Sequence, residues 1–263
     1  MNEQINTTAF HRVLDGLRER RIENQKRLSE KIDNTPPSSC KNCGTKRPVN
    51  RELSLYRGEI MFESCAPCAK EKRERELLRN GIPANLIEAE FGNWKTATDE
   101  QRKNLEIVQT FATEAECGFL FLLGGFGIGK THLAVAAAKE CGDFHFVTHG
   151  QLLRNLRKTY SDDEAEDPIA RCKDVSLLVL DELGLSAGGK DEFPMLHEIL
   201  CHRYNQKLRT IITSNLELGG VRSLIGERVA DRLEECCYAV LTFTGESHRA
   251  AARNKYFQSK QAD

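Results

Sequence analysis

The sequence predicts an α/β fold in which a parallel five-stranded sheet is covered by helices on both faces. An apolar run at residues 119–123 is typical of a strand buried on both faces, and two glycines end it. Strand and helix patterns then alternate as far as residue 243, as they do where helices connect parallel strands. Polar residues close two of the later apolar runs. These polar groups are expected to meet at one edge of the sheet, where α/β folds form their crevices.

The elements follow from these patterns in chain order. A helix carrying a capping box at Thr98 and Gln101 precedes the first strand, and an alanine-rich helix follows it. Strands are predicted at residues 119–123, 144–148, 175–180, 210–213 and 238–243. Later helices are predicted at residues 151–160, 191–206 and 226–235, with an acidic loop at 161–167. The pattern therefore places every loop that follows a strand at the same edge of the sheet, where the carboxyl ends of the parallel strands lie.

The loop after the first strand fits the pattern G-x-x-x-x-G-K-[ST], with Gly124, Gly129, Lys130 and Thr131 at the fixed positions. Glycines let backbone N–H groups point inward, and the following helix adds its N-terminal donors, so main chain holds most of a polyphosphate. Lys130 is expected to reach the β- and γ-phosphates, and the Thr131 hydroxyl to bind Mg²⁺. A nucleoside triphosphate such as ATP is therefore the expected ligand. The predicted contact residues are Gly125, Phe126, Gly127, Ile128, Gly129, Lys130, Thr131 and His132.

Two carboxylates and an amide follow later strands of the sheet. Asp181 and Glu182 come directly after the third strand, where Asp181 is expected to hold Mg²⁺ and Glu182 to orient the attacking water. Asn215 follows the fourth strand and is expected to contact the γ-phosphate or the water, although a turn residue fits the same position. The predicted chemistry is ATP hydrolysis, with Lys130, Glu182 and Asn215 as catalytic groups.

Two arginines, Arg228 and Arg232, are four residues apart and share one face of the helix at 226–235. An arginine on the far side of its own domain can reach the phosphates of a neighbouring copy, as an arginine finger does. Surface pairing with nearby glutamates is the alternative. Self-assembly with an arginine acting in trans is therefore predicted beside this alternative.

Composition limits the classes of protein that fit. The 263 residues are 40% hydrophobic and 29% charged, as in soluble globular proteins. No apolar run approaches the roughly 18 residues of a membrane span, and the polar N-terminus lacks a signal-peptide core, so we expect a cytoplasmic protein without membrane contact. Residues 1–80 hold 17 Lys and Arg against 12 Asp and Glu, a net charge of +5, so the remainder carries −6. Nucleic acid or an acidic protein suits the basic end, although solvated helix charge is the alternative.

Four cysteines near the N-terminus form two C-x-x-C pairs, Cys40 with Cys43 and Cys65 with Cys68. This spacing suits a tetrahedral Zn²⁺ site, and the segment between the pairs alternates like two strands around residues 57–58. Chance placement or a redox pair is the alternative. The predicted domains are an N-terminal helix at 1–35, a zinc module with a basic helix at 36–80, and the nucleotide-binding domain at 81–263, which has no room for a helical lid.

The set of motifs over residues 81–257 resembles the bacterial replicative helicase loaders of the DnaC/DnaI type, relatives of the IstB-type transposition ATPases within the AAA+ class. The segments that carry the resemblance are GGFGIGKTHLA, LLVLDELG, TIITSN, GERVADRL and TFTGESHR. Lys130 and Thr131 match the Walker A motif, Asp181 and Glu182 the Walker B motif, Asn215 sensor 1, and Arg232 the arginine finger. Arg249 matches a nucleotide-sensing arginine near the chain end, and is predicted to contact the nucleotide.

The resemblance implies an ATPase that binds ATP and Mg²⁺, assembles with copies of itself, contacts single-stranded DNA and delivers a hexameric replicative helicase. Arg154, Arg157 and Lys158 share the helix after the second strand and would suit a phosphate backbone, although solvated charge explains them equally well. Two other functions stay open. One is a helper of DNA transposition, and the other is a zinc-containing DNA-binding adaptor that uses ATP as an assembly switch. Glu182 argues against the switch, which needs no water-orienting carboxylate.

Overall fold

The computed structural model describes residues 51–56, 59–96, 98–162, 164–185, 189–245 and 247, with side chains from residue 67 onward. Its contacts divide the chain into two compact units, Met1–Arg75 and Glu76–Asp263. The predicted N-terminal helix at 1–35 lies outside the described residues. The three-domain division stays a prediction.

The described part of the first unit is a β-hairpin followed by a helix. Strands β1 (Arg51–Tyr56) and β2 (Glu59–Cys65) pair antiparallel, as the alternating pattern predicts. Helix α1 (Ala66–Arg79) begins directly after β2 and continues into the second unit. It ends at Arg79, and Gly81 follows with a φ of +96°, where a Cβ would lie 1.9 Å from the Phe146 carbonyl oxygen.

The second unit contains a parallel sheet in which the strand order differs from the chain order. Its strands are β3 (Phe119–Gly124), β4 (Phe144–Thr148), β5 (Leu177–Leu183), β6 (Arg209–Ser214) and β7 (Cys237–Phe243). They lie in the order β4-β5-β6-β3-β7, and every neighbouring pair is parallel. Because β6 lies between β3 and β5, the carboxyl ends of these three strands meet in the middle of one sheet edge.

Helices cover both faces of this sheet, so the predicted fold class is confirmed. The helices are α2 (Asp99–Thr113), α3 (Lys130–Cys141), α4 (His149–Thr159), α5 (Pro168–Asp174), α6 (Glu192–Asn205), α7 (Leu218–Ile225) and α8 (Glu227–Glu235). The first two pack in one apolar cluster, and α4 to α8 pack in a second cluster on the other face. No helix in the described ranges is both long and apolar enough to cross a membrane.

Strand β3 explains why the sequence run at 119–123 is apolar throughout. Leu120 and Leu122 belong to the cluster with α2 and α3, whereas Phe119, Phe121 and Leu123 belong to the cluster on the opposite face. All five are at most 5% exposed. A strand in the middle of a helix-covered sheet has no solvent face, so its apolar residues do not alternate with polar ones.

The sequence patterns missed two helices and misplaced both ends of β5. Helix α5 has only seven residues, too few for a helical period, and the Asp167 carboxylate caps it by accepting from the Ile169 N–H at 2.8 Å. Helix α7 contains Gly219 and Gly220, which weaken a helix pattern. Strand β5 begins at Leu177 and continues through the acidic pair to Leu183, because Asp181 still pairs with Thr148 of β4 and Leu183 with Ser214 of β6.

Candidate nucleotide-binding site

The glycine-rich loop joins β3 to α3 at the centre of the sheet edge. Gly127 and Gly129 have φ angles of +74° and +98°, where only glycine is unstrained. A Cβ on Gly129 would also lie 2.4 Å from the Trp94 indole nitrogen. Phe126 is 66% exposed, whereas Ile128 is buried in the core beneath the loop. The loop therefore has the backbone conformation that its glycines predict, with one apolar residue holding it to the sheet.

Lys130 is a buried cation at the start of α3, where it is 7% exposed. Its ammonium donates to the carbonyl oxygens of Gly124 and Gly125 at 2.8 and 2.5 Å. It also donates to Asn215 Oδ1, just beyond β6, at 2.8 Å. The structure thus brings together two residues that are 85 positions apart and that the sequence assigns to one site.

Thr131 and Asp181 are also in contact, because the Thr131 hydroxyl donates to Asp181 Oδ1 at 3.0 Å. The Thr213 hydroxyl, on β6, donates to the same oxygen at 2.6 Å. Asp181 is 3% exposed, and burial raises the pKa of its carboxyl above the ordinary value, while the two hydroxyl donors act in the opposite direction. The site therefore holds a carboxylate for which a nearby cation would be strongly favourable.

A β-bulge separates the two acidic side chains. Leu180 pairs with Ile212 and Leu183 with Ser214, so β5 has one residue more than β6 over this stretch. Glu182 takes a positive φ of 56°, and its N–H donates to the Thr213 hydroxyl at 3.0 Å. As a result Asp181 is buried toward Thr131 whereas Glu182 is exposed. Glu182 lines a cavity of about 390 Å³ with Thr148, Gly150, Leu153, Arg154, Arg157 and Leu185.

The segment before α2 packs against the phosphate loop. Trp94 is 7% exposed, lies beside Gly129, and makes an edge-to-face contact with Phe243 at a centroid distance of 6.2 Å. His132 faces the same segment, since its Nε2 lies 2.9 Å from the Glu90 carbonyl oxygen. The segment before α2 therefore contacts both the loop and the sheet.

Several predicted site residues lie elsewhere or cannot be placed. Arg232 is exposed on α8, where its Nη1 donates to Cys201 Sγ on α6 at 3.3 Å. Arg249, Cys40 and Cys43 lie outside the described residues. Cys65 ends β2, and Cys68 lies partly buried in α1. Among the described residues, no group of three or more His, Cys, Asp or Glu side chains could hold a metal ion.

Comparison with known proteins places this site in a family. The model of the IstB-like ATP binding protein family matches residues 66–256, which include the phosphate loop and both acidic residues. The chain belongs to this family. This membership confirms the resemblance stated from the motifs.

Proteins of similar sequence include replicative helicase loaders. The chain is 32% identical to the replicative helicase loader DnaC of Buchnera aphidicola subsp. Schizaphis graminum over 192 residues, which cover 69% of this chain and 78% of the relative. It is 30% identical to the uncharacterized protein YdaV of Escherichia coli strain K12, with coverage of 76% and 84%. The DnaC of the same strain is 26% identical, with coverage of 71% and 79%.

Solved structures of similar fold include a crystal structure of the DnaC helicase loader. It aligns with a TM-score of 0.55 and 25% identity over 62% of this chain and all of the solved chain. The replication initiator DnaA bound to AMPPCP and single-stranded DNA aligns with a TM-score of 0.54 at 17% identity, which shows a shared fold. The parallel sheet with its phosphate loop is thus the AAA+ fold predicted from the sequence.

Sequence patterns alone missed Thr213, although its hydroxyl joins Asp181 to the Glu182 backbone. In the sequence it is an ordinary β-branched residue near the end of an apolar strand, so nothing local distinguishes it. The signal that could have found it is its register, because β6 pairs beside β5 and Thr213 falls opposite the bulge. Only the strand order reveals that pairing.

Proposed function

We propose that this chain is an ATPase that loads a replicative DNA helicase onto single-stranded DNA. The observation that carries the proposal is the contact of Thr131 with Asp181 beside the contact of Lys130 with Asn215. One loop, one carboxylate strand and one amide strand thereby converge on a single point, as phosphoryl transfer requires. The replicative helicase is proposed as partner because the similar proteins are helicase loaders named DnaC. Their alignments cover most of this chain and most of each relative.

The residues present fit Mg²⁺ and a triphosphate. Oxygen donors are the ligands that Mg²⁺ prefers, and the Thr131 hydroxyl and Asp181 carboxylate would hold it. The bound ion would neutralise charge on the phosphate oxygens. Lys130 would exchange its carbonyl and amide partners for phosphate oxygens, which are stronger acceptors for an ammonium. Glu182, exposed to the neighbouring cavity, would orient the attacking water.

Glu182→Gln tests the hydrolysis step. We expect ATP turnover to fall about 100-fold or more, because the amide cannot accept the proton of the water, while ATP affinity stays within about twofold. The matched control is Glu106→Gln, an exposed glutamate on α2, which should behave as wild type. Turnover by Glu182→Gln at the wild-type rate would remove Glu182 from the mechanism.

A loading assay tests the proposed function as a whole. The full chain, ATP and a replicative helicase are added to single-stranded DNA coated with its binding protein, and helicase activity on a forked substrate is measured. We expect unwinding to depend on the chain and on ATP. Absence of stimulation, with ATP hydrolysis intact, would contradict the loader and leave the ATPase assignment in place.

A transposition helper is the second candidate, favoured by the family to which the chain belongs, whose name refers to IstB. Such a helper would act with a transposase on duplex DNA. Affinity purification of the full chain separates the two candidates, because recovery of a replicative helicase supports the loader and recovery of a transposase supports the helper.

The assignment of Arg232 to a neighbouring copy's nucleotide is supported by its exposure and its place on α8. Mixing Arg232→Ala chains with Glu182→Gln chains provides the test. Each chain is inactive alone, but in a mixed assembly one supplies the arginine and the other the glutamate, so turnover should recover. Arg228→Ala, one helical turn earlier on the same helix, is the control and should hydrolyse ATP unaided. Failure to recover would exclude action in trans.

Contact with single-stranded DNA is assigned to Arg154, Arg157 and Lys158, which are exposed on α4 beside the cavity that Glu182 lines. Alanine at both arginines should weaken binding of an oligothymidine and lower its salt dependence by about 0.7 in log–log slope for each lost phosphate contact. Lys103→Ala on α2 is the control. An unchanged slope would show that these residues make no phosphate contact and are ordinary surface charges.

A structural Zn²⁺ held by Cys40, Cys43, Cys65 and Cys68 is also part of the proposal. The β1–β2 hairpin ending at Cys65 is consistent with a zinc ribbon, in which two strands separate the ligand pairs. Native mass spectrometry should detect one zinc ion, lost in Cys40→Ser and kept in Cys117→Ser. Zinc-free wild-type protein that remains folded would contradict the module.

A further inference from the structure

The turn that follows Glu182 is fixed by hydrogen bonds from three directions. The Leu183 carbonyl oxygen accepts from the Ser214 hydroxyl at 2.6 Å, and the Leu185 N–H donates back to the Glu182 carbonyl oxygen at 3.2 Å. The Gly184 N–H donates to His149 Nδ1 at 3.3 Å. His149 is therefore the contact that ties this turn to the first residue of α4.

The partners of His149 determine its tautomer. Its Nδ1 accepts a hydrogen bond from the Gly184 N–H, so in a neutral ring the proton lies on Nε2. The side chain is completely buried, and burial lowers the pKa of His149 to about 4, which keeps the ring neutral at physiological pH. A second proton would have to occupy Nδ1 and would displace the Gly184 N–H.

The other side of the ring faces a buried carboxylate. His149 Nε2 lies 3.2 Å from Glu192 Oε1, at an angle outside that of a regular hydrogen bond, and Glu192 is 5% exposed. Among the described residues these two atoms have no other polar partner. Since buried polar atoms are rarely left unpaired, a small rotation of either side chain would let the imidazole N–H donate to the carboxylate. Glu192 is in the first turn of α6, so the pair joins α4, α6 and the turn after Glu182.

We propose that His149 is a positioning residue for Glu182, and that Glu192 holds the His149 ring in the tautomer that this requires. The proposal rests on the proposed function, since it needs ATP hydrolysis through Glu182. His149 touches neither nucleotide nor water. It acts by holding the backbone of the turn whose first residue carries the carboxylate at an unusual positive φ. A displacement of about 1 Å in such a group can reduce turnover about 100-fold.

Steady-state hydrolysis and nucleotide affinity of the full chain test the proposal. We expect His149→Leu, which removes both nitrogens, to lower kcat about tenfold or more, with KM and the affinity for a non-hydrolysable ATP analogue within about twofold. His149→Asn keeps an acceptor near Nδ1 and should recover part of the rate. Glu192→Gln keeps an oxygen for the Nε2 proton and should lose less than Glu192→Leu. Hydrogen exchange of the Gly184 amide should be fastest in His149→Leu.

His145 provides a control, because it is partly buried, has a pKa that burial lowers to about 4, as in His149, and lies at the start of β4, away from the turn. His145→Asn should leave kcat unchanged. Equal losses in His149→Leu and His149→Asn, or parallel changes in kcat and affinity, would reduce His149 to a core residue. If His149→Leu does not fold, the Asn variant and the two Glu192 variants decide by the same criteria.

The outcomes separate this proposal from the proposed function. Wild-type hydrolysis combined with an unaffected His149→Leu overturns the positioning role alone. A wild-type chain that binds ATP without hydrolysing it overturns the ATPase assignment, and the positioning role is lost with it.

Discussion

Two buried cations lie at opposite edges of the same sheet, and their surroundings differ. Lys130, at the carboxyl edge, is bonded to two carbonyl oxygens of its own loop and to the Asn215 side chain. Arg203, at the amino edge, donates to the Thr210 hydroxyl and to four backbone carbonyl oxygens, those of Cys172, Lys173, Val175 and Arg209. The Lys130 residue is 7% exposed to solvent, whereas Arg203 is completely buried.

The difference predicts that Lys130 binds a ligand, whereas Arg203 stabilises the fold. The partners of Lys130 lie in a glycine-rich loop and at a strand end, so a phosphate can replace them at the crevice. The partners of Arg203 lie at the end of α5, in the segment before β5 and at the start of β6. Arg203 therefore joins these three segments of the fold. Burial lowers the pKa of Arg203 to about 10, which still leaves it charged at neutral pH.

The largest effect should come from Arg203→Met. It leaves the carbonyl oxygens around the guanidinium without donors in a buried site, so we expect the free energy of unfolding to fall by about 3–5 kcal/mol. Urea denaturation followed by circular dichroism measures this. The folded fraction should bind ATP with wild-type affinity, and a change in that affinity would mean that the two edges are coupled.

Lys130→Met should have the opposite signature. Losing charge-assisted bonds to phosphate should weaken ATP binding about 100-fold, while the free energy of unfolding without nucleotide changes by about 1 kcal/mol or less. The single tryptophan, Trp94, lies beside Gly129, so its fluorescence provides the binding measurement. A large stability loss would place Lys130 with Arg203 as a structural cation.

Thr213→Val tests the residue that links the two site carboxylates. Valine matches its shape but leaves the Glu182 N–H without its hydroxyl acceptor and Asp181 with one donor fewer, so we expect kcat to fall about tenfold and stability by about 1–2 kcal/mol. Thr213→Ser keeps the hydroxyl and is the control. If serine and valine lose equally, packing, rather than the hydroxyl, explains the effect.

The smallest effect concerns Asp143 at the amino edge, which accepts from both the N–H and the hydroxyl of Ser176. The hydroxyl bond contributes most to lowering the pKa of Asp143 below its ordinary value of 3.8. A lowered pKa stabilises the fold above 3.8, and this contribution is lost as pH falls through the folded value. The stability difference between wild type and Ser176→Ala should therefore shrink on acidification through that range. A difference independent of pH would contradict this origin.

Local patterns were sufficient for much of the site. The phosphate loop, Asp181, Glu182 and Asn215 follow from motifs whose chemistry requires particular residue types. Helices α5 and α7 were missed because one is too short for a period and the other contains paired glycines. Thr213, His149 and Glu192 were missed because their partners lie on other elements, at separations that no local pattern encodes.

By itself the sequence determined the α/β class, the phosphate loop and the positions of the five strands along the chain, because these depend on apolar periodicity and glycine content over short windows. Only the tertiary structure decided that β6 lies between β3 and β5, and so that Lys130 meets Asn215 and Thr131 meets Asp181. It also decided that Lys130 is bonded at the crevice, whereas Arg203 is bonded to backbone carbonyl oxygens at the opposite edge of the sheet. Burial and hydrogen-bond partners arise from packing between distant segments, and a charged residue has the same local signature in either place.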